Sequence, residues 1–152
     1  MKYIGAVISV ADTRKSRKFY EDLFGLEVLH DYGRNVDFGC LALMQEFDWL
    51  VGIPKEKILN KPNNIELYFE EDLFDDFLKK LEKYPKIEQI GGVKEMPWGQ
   101  RVIRFYDPDD HIIEVGEAMK VVVNRFLSSG MSKEKVAERI NATLEDVEKI
   151  LK

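Results

Sequence analysis

Two glutamates stand in the middle of apolar segments. Glu66 lies in Ile65-Glu66-Leu67-Tyr68-Phe69, and Glu114 lies in Ile112-Ile113-Glu114-Val115. The first segment alternates apolar and polar residues, the pattern of a strand covered on one face. Glu66 then shares a face with Tyr68 and Glu70, opposite Ile65, Leu67 and Phe69. A carboxylate so placed faces either solvent or a functional cleft. Two carboxylates that face each other can hold a hard or borderline divalent ion through oxygen. Alternatively, their repulsion can raise one pKa and turn that carboxyl into a proton shuttle.

A second group lies in Trp98-Gly99-Gln100-Arg101 and the strand that follows. Arg101 and Arg104 have opposite strand parity, so one faces inward and one faces out. An inward arginine suits a carboxylate or phosphate on a substrate. Arg101, Trp98 and Tyr68 are therefore the candidate substrate contacts. Trp98 has two readings, a wall of the cleft mouth or a cap on the core, and Trp49 has the same two. His111 and Glu114 resemble a chelating pair, but residues three apart on a strand point to opposite faces. Asp107-Pro108-Asp109-Asp110 reads as a type I turn, with His111 as its closing hydrogen bonder. His30, beside a turn, is expected in solvent. Cys40, between Gly39 and Leu41, reads as a small buried hydrophobe rather than a nucleophile. A single cysteine forbids an internal disulfide and is expected of a reducing, cytoplasmic setting.

Elements must position these residues. Val7–Val10 reads as a strand. Asp12 follows as a helix N-cap, and Ser16, Phe19, Tyr20 and Leu23 recur at helical spacing until Gly25. Leu26–Leu29 reads as a further strand and Val36–Met44 as a strand pair or one long strand, separated by turn chemistry at Asp31–Asn35. After a loop-like link at Pro54–Asn64 the order repeats about sixty residues on. The strand around Glu66 precedes Asp72 as the next N-cap. A stripe of Phe74, Phe77, Leu78 and Leu81 predicts a helix near 72–83. Strands are expected near Ile87–Gly91, Arg101–Tyr106 and Ile112–Val115. From residue 118 the pattern is all helical, with stops and caps at Gly130, Ser132 and Thr143.

Val10-Ala-Asp12-Thr-Arg-Lys-Ser16-Arg-Lys-Phe19-Tyr20-Glu-Asp-Leu-Phe-Gly25 resembles the opening signature of the vicinal oxygen chelate superfamily, which includes glyoxalase I, bleomycin-resistance proteins and extradiol dioxygenases. Phe105-Tyr-Asp107-Pro108-Asp109-Asp-His111-Ile-Ile-Glu114 resembles its closing signature. The resemblance covers residues 3–117. It implies an α+β fold, with two βαβββ modules forming a curved mixed sheet around a cleft. The expected organisation is a domain over 1–117 and a small all-α appendage over 118–152. Metal-using members place ligands on the inward faces of the first and last strands of each module. By that pattern Glu66 and Glu114 are the expected metal and catalytic residues. Gly5 stands where a first-module ligand is expected and cannot ligate. The first-module partner of Glu114 falls at Met44 or Gln45, of which only Gln45 offers an oxygen. The resemblance thus implies a glyoxalase-like protein that acts on or binds a small molecule, with a divalent metal polarising substrate oxygens. The alternative is a metal-free binding or sequestering protein of the bleomycin-resistance type.

Charge and length bound the partners. The 152 residues carry a net charge of −5 and are 45% hydrophobic and 34% charged, ordinary values for a globular chain. Residues 119–152 hold seven Lys/Arg and five Asp/Glu, which leaves −7 for the remainder. An acidic body argues against a nucleic-acid face. The tail could be read as a helix-turn-helix, but its last helix opens Thr143-Leu144-Glu145-Asp146, which would repel a phosphate backbone. A small-molecule ligand is the expected partner, with no nucleic acid and no membrane, and a homodimer compatible with the apolar stripes of the tail.

Overall fold

The computed structural model describes every residue, Met1–Lys152. The chain divides into two compact units, residues 1–65 with 106–112 and residues 66–105 with 113–152. No helix is long and apolar enough to cross a membrane.

The first unit is built from β1 (Ala6–Ser9), α1 (Thr13–Phe24), β2 (His30–Asp31), β3 (Asn35–Asp37), β4 (Leu41–Met44) and a short α2 (Phe47–Val51). Its four-stranded sheet has the order β1-β4-β3-β2. β1 runs parallel to β4, with Ala6 opposite Leu41 and Ser9 opposite Met44, while β3 is antiparallel to β4. α1 starts where its chemistry dictates. The Asp12 carboxylate accepts from the amides of Arg14 and Lys15, and Gly25 ends the helix in the left-handed region at φ 66°. Ser16, Phe19, Tyr20 and Leu23 are buried as their spacing predicts. Leu26–Leu29 is not a strand. Pairing begins later, at His30 and Asp31, after the Leu29 amide bonds the Asp37 carbonyl at 2.8 Å.

The second unit repeats the order with β5 (Glu66–Glu71), α3 (Phe74–Leu81), β6 (Lys94–Glu95), β7 (Arg101–Tyr106) and β8 (Ile112–Glu117), whose shared turn, residues 106–112, belongs to the first unit. Its sheet order is β5-β8-β7-β6. Two expectations shift here. Asp72 does not cap α3. β5 runs on to Glu71, and that side chain accepts the Leu73 amide at 2.8 Å, so the helix starts at Phe74. The strand expected near Ile87–Gly91 is one isolated bridge, Gln89 to Phe105. Gly91, at φ 76°, and Gly92 break the chain there, and pairing resumes at Lys94.

Three helices complete this unit: α4 (Met119–Ser128), α5 (Lys133–Arg139) and α6 (Leu144–Ile150). Val122, Val123, Phe126, Val136, Ala137 and Val147 form their common core. Ser132 caps α5, and Thr143 with Asp146 forms a capping box on α6. Arg125 ties α4 to the module, donating to the Gly99 carbonyl at 2.7 Å and to Glu117 at 2.9 Å. Gly99, at φ 86°, lies so near the Phe126 ring that a Cβ would overlap it.

Candidate functional site

Each sheet has one face covered by a helix and one open face. In β7, Ile103 and Phe105 are buried and Phe105 stacks on Phe77 of α3 at 6.3 Å. Arg104 therefore projects from the opposite, open face. Its Nε donates to Glu66 Oε2 at 3.2 Å, and its Nη2 forms an ion pair with Glu114 Oε2. Glu66 and Glu114 thus converge, as strand parity and the family resemblance together imply, but on a guanidinium. Glu114 is the buried member, its side chain 7% exposed. Its Oε2 receives no hydrogen bond of ordinary geometry, so the bare ion pair is its only compensation. Burial lifts the Glu114 carboxyl above the usual range; the Glu66 charge adds to the rise and Arg104 opposes it.

Beside this trio runs a hydrogen-bonded relay. Trp98 Nε1 donates to Gln100 Oε1 at 2.9 Å, Gln100 Nε2 donates to the Tyr68 hydroxyl at 2.8 Å, and that hydroxyl donates to Glu70 at 2.8 Å. Trp98 and Tyr68 are therefore joined through the buried Gln100. Partial burial pushes the Tyr68 phenol up to about 12; Gln100 opposes that rise and the Glu70 carboxylate reinforces it. Gly116 leaves room for the relay, because a Cβ there would stand 2.7 Å from Gln100 Nε2.

Arg101 lies elsewhere. It is on the helix-covered face, bidentate to Asp75 of α3 at 2.8 and 3.2 Å and bonded to the buried Glu117 at 2.8 Å. Of the two arginines, Arg104 is the one on the open face. The physical reason is the acidic pair Asp75 and Glu117, which gives Arg101 two charge-assisted partners beneath the helix. Burial alone would raise Glu117, but the hydrogen bonds from Arg101 and the charge of Arg125 hold it below its ordinary value.

The first unit contributes a different surface. Its open face carries a cavity of about 660 Å³ lined by Val7, Asn35, Asp37, Ala42, Met44 and Trp49, among others. Trp49 is 60% exposed, so it does not cap the core. The Arg34 guanidinium lies 3.9 Å from the Trp49 ring centroid and also bonds Glu46 at 3.2 Å. Asp37 Oδ1 accepts the Gly39 amide at 2.7 Å. Cys40 is exposed rather than buried, because the β3–β4 connection turns at Gly39, φ 96°. Gln45 sits at the end of β4, its Oε1 3.5 Å from the Thr13 amide.

Gly5 is a packing requirement. A Cβ on it would fall on the Cys40 carbonyl, within 2.7 Å of the carbonyl carbon. The position that a metal-using pattern assigns to a ligand is closed to any side chain. No group of three His, Cys, Asp or Glu side chains is arranged so that it could hold a metal ion. The carboxylates that do converge are both held by Arg104, and this donor set does not fit a divalent ion.

The two signature segments meet within the first unit. Asp107, its side chain fully buried, accepts from the Tyr20 hydroxyl at 2.6 Å, from the His111 amide at 2.8 Å and from the Asp109 amide at 2.9 Å. His111 Nδ1 lies 2.9 Å from it, closing the turn as expected. Asp109 accepts from the Ala11 amide and the Ser16 hydroxyl. Asp107, Asp109, Ser16 and Tyr20 thus form a structural latch between the turn and α1. His30 is exposed and stacks on Tyr32.

Two βαβββ modules, each with one sheet face under a helix, define an α+β protein of the duplicated-module class. The chain belongs to the glyoxalase-like domain family, whose model matches residues 3–120, and so to the vicinal oxygen chelate superfamily. It is 30% identical over 108 residues to metallothiol transferase FosB of Lysinibacillus sphaericus, covering 71% of this chain and 76% of that protein. A protein of unknown function from Agrobacterium tumefaciens is similar in structure, with TM-score 0.66 and 34% identity over 77% of this chain and 94% of that one. A lactoylglutathione lyase from Agrobacterium tumefaciens shares the fold, with TM-score 0.53 and 22% identity over 76% and 92% of the two chains.

Proposed function

We propose that the chain binds a small, flat, partly apolar molecule on the open face of its first unit, as a binding protein of the bleomycin-resistance type. The cavity beside Trp49 carries this reading. Its volume of about 660 Å³ suits a small ligand, and such pockets are mostly apolar with a few placed polar groups. Val7, Ala42 and Met44 supply the apolar surface. Trp49, held by Arg34, offers a ring for stacking. Asp37 supplies an acceptor whose partner within the protein is one backbone amide. A planar ring bearing an N–H donor, most favourably a cationic one, matches this set. The lyase reading of the same family requires a metal, and the donor set does not fit one.

Titration calorimetry with 1-naphthylmethylamine tests this. The parent protein is expected to bind it more tightly than it binds 1-naphthoate. Trp49→Ala is expected to lose about tenfold in affinity, the upper range for one aromatic pair. Equal binding by the Trp49→Ala protein, or a preference for the naphthoate anion, would remove the reading.

A further inference from the structure

We infer that Arg104 is a resident cation, a tethered guanidinium occupying the position between Glu66 and Glu114 where a divalent ion would have to sit. The inference is independent of the ligand proposed for the first unit. It starts from geometry: one guanidinium contacts both carboxylates, through Nε on one side and Nη2 on the other. Two converging carboxylates, one of them buried, need a positive charge between them, because an unpaired buried charge is strongly destabilising. Arg104 supplies it from the central part of β7, where the burial of Ile103 and Phe105 under α3 fixes the direction of its side chain. A tethered charge does not dissociate and is independent of metal supply. An incoming divalent ion would have to displace it and leave an arginine, 27% exposed, without either partner.

The face therefore differs from a metal site in kind. Arg104 is permanently charged and presents donors only. It neutralises one carboxylate but offers no exchangeable coordination position. Glu66, Glu70 and Glu114 share this face with Arg104, so carboxylates surround the guanidinium. Removal of the arginine should expose a carboxylate pair able to take a hard cation through oxygen.

Manganese binding tests the inference, followed by loss of the free Mn²⁺ electron paramagnetic resonance signal in chelator-stripped protein. The parent and Arg104→Lys are expected to bind no Mn²⁺ on this face. Arg104→Met is expected to bind it at least ~10-fold more tightly than the parent, since a competing unit charge a few ångströms away has been removed. A second change, Glu114→Gln, should abolish that gain. Parent protein that binds Mn²⁺ as tightly as Arg104→Met would overturn the inference, as would a folded Arg104→Met protein with no gain. Circular dichroism establishes folding, and Arg104→Gln serves if the methionine variant does not fold. If neither folds, the parent decides. Mn²⁺ binding that Glu66→Gln abolishes overturns the inference, and absence of such binding at millimolar Mn²⁺ upholds it. Binding of 1-naphthylmethylamine by the first unit should be unchanged in all folded variants, so failure here is distinct from failure of the ligand proposal.

Discussion

Replacing Asp107 by alanine is expected to cost about 3–5 kcal/mol of stability, the range for removing one partner of a buried ion pair. The loss would appear as a lower urea midpoint. It is large because one carboxylate serves four groups: the Tyr20 hydroxyl, two backbone amides and the His111 ring. Burial opposes ionisation of Asp107, but the His111 hydrogen bond and charge hold its pKa below the ordinary value. Burial likewise opposes protonation of His111, and the Asp107 hydrogen bond outweighs it, so that pKa is raised. The depressed Asp107 contributes stability that is present above its unfolded pKa of about 3.9 and is lost as pH falls through the folded value. The raised His111 contributes stability that is present below its unfolded pKa of about 6.5 and is lost as pH rises through the folded value. The latch should therefore be strongest between roughly pH 4 and 6.5. His111→Asn should flatten the alkaline decline and weaken the acid limb as well, because the His111 hydrogen bond and charge are the main causes that depress Asp107. A parent protein whose urea midpoint is unchanged from pH 5 to 8 would contradict this account.

Gly5→Ala is expected to destabilise at or beyond the upper end of the ~1–3 kcal/mol usual for overpacking. The added methyl meets the backbone carbonyl of Cys40, and that carbonyl accepts the Ala6 amide at 3.0 Å. Relief would require parting β1 from β4 where they pair. Gly5→His, which places a ligand type at the family position, should be worse still. Thermal melting followed by circular dichroism measures both. A Gly5→Ala protein that melts with the parent would mean that β1 and β4 can separate there without cost.

Much of the fold was legible because the signals were local. Asp12, the stripe from Ser16 to Leu23, and Gly25 specify α1 almost residue by residue, and Ser132 and Thr143 do the same for α5 and α6. The repeat then supplied the second module. The errors arose where a longer-range partner decided the outcome. Asp72 has the right residue type for a cap, but β5 runs up to Glu71 beside it and the helix starts only at Phe74. Cys40 has apolar neighbours in sequence, but its turn faces solvent. For the site, period-two alternation put Glu66 and Tyr68 on one face, and the family resemblance added Glu114 opposite them. It could show that Arg101 and Arg104 differ in direction but not which one was inward. Asp75 and Glu117 decide that, and both are distant from Arg101 in sequence. Gln100 carried no signal at all, because its role depends on Tyr68 being 32 residues away.

The latch between Asp107 and α1 has a consequence for the order in which the chain can mature. Tyr20 and Asp107 are 87 residues apart, and Ala11 and Asp109 are 98 apart. A ribosome that has released residues 1–65 has delivered every strand and helix of the first unit but not the turn that completes it. Until residues 106–112 emerge, the Tyr20 hydroxyl and the Ser16 hydroxyl lack their acceptors, and closing so distant a contact slows folding. The nascent first module should thus remain open to proteases and chaperones while the second is made. A gene split at the link near residue 60 would yield a first half whose deepest tyrosine has no acid to bond, even though its own helix and sheet are complete in sequence.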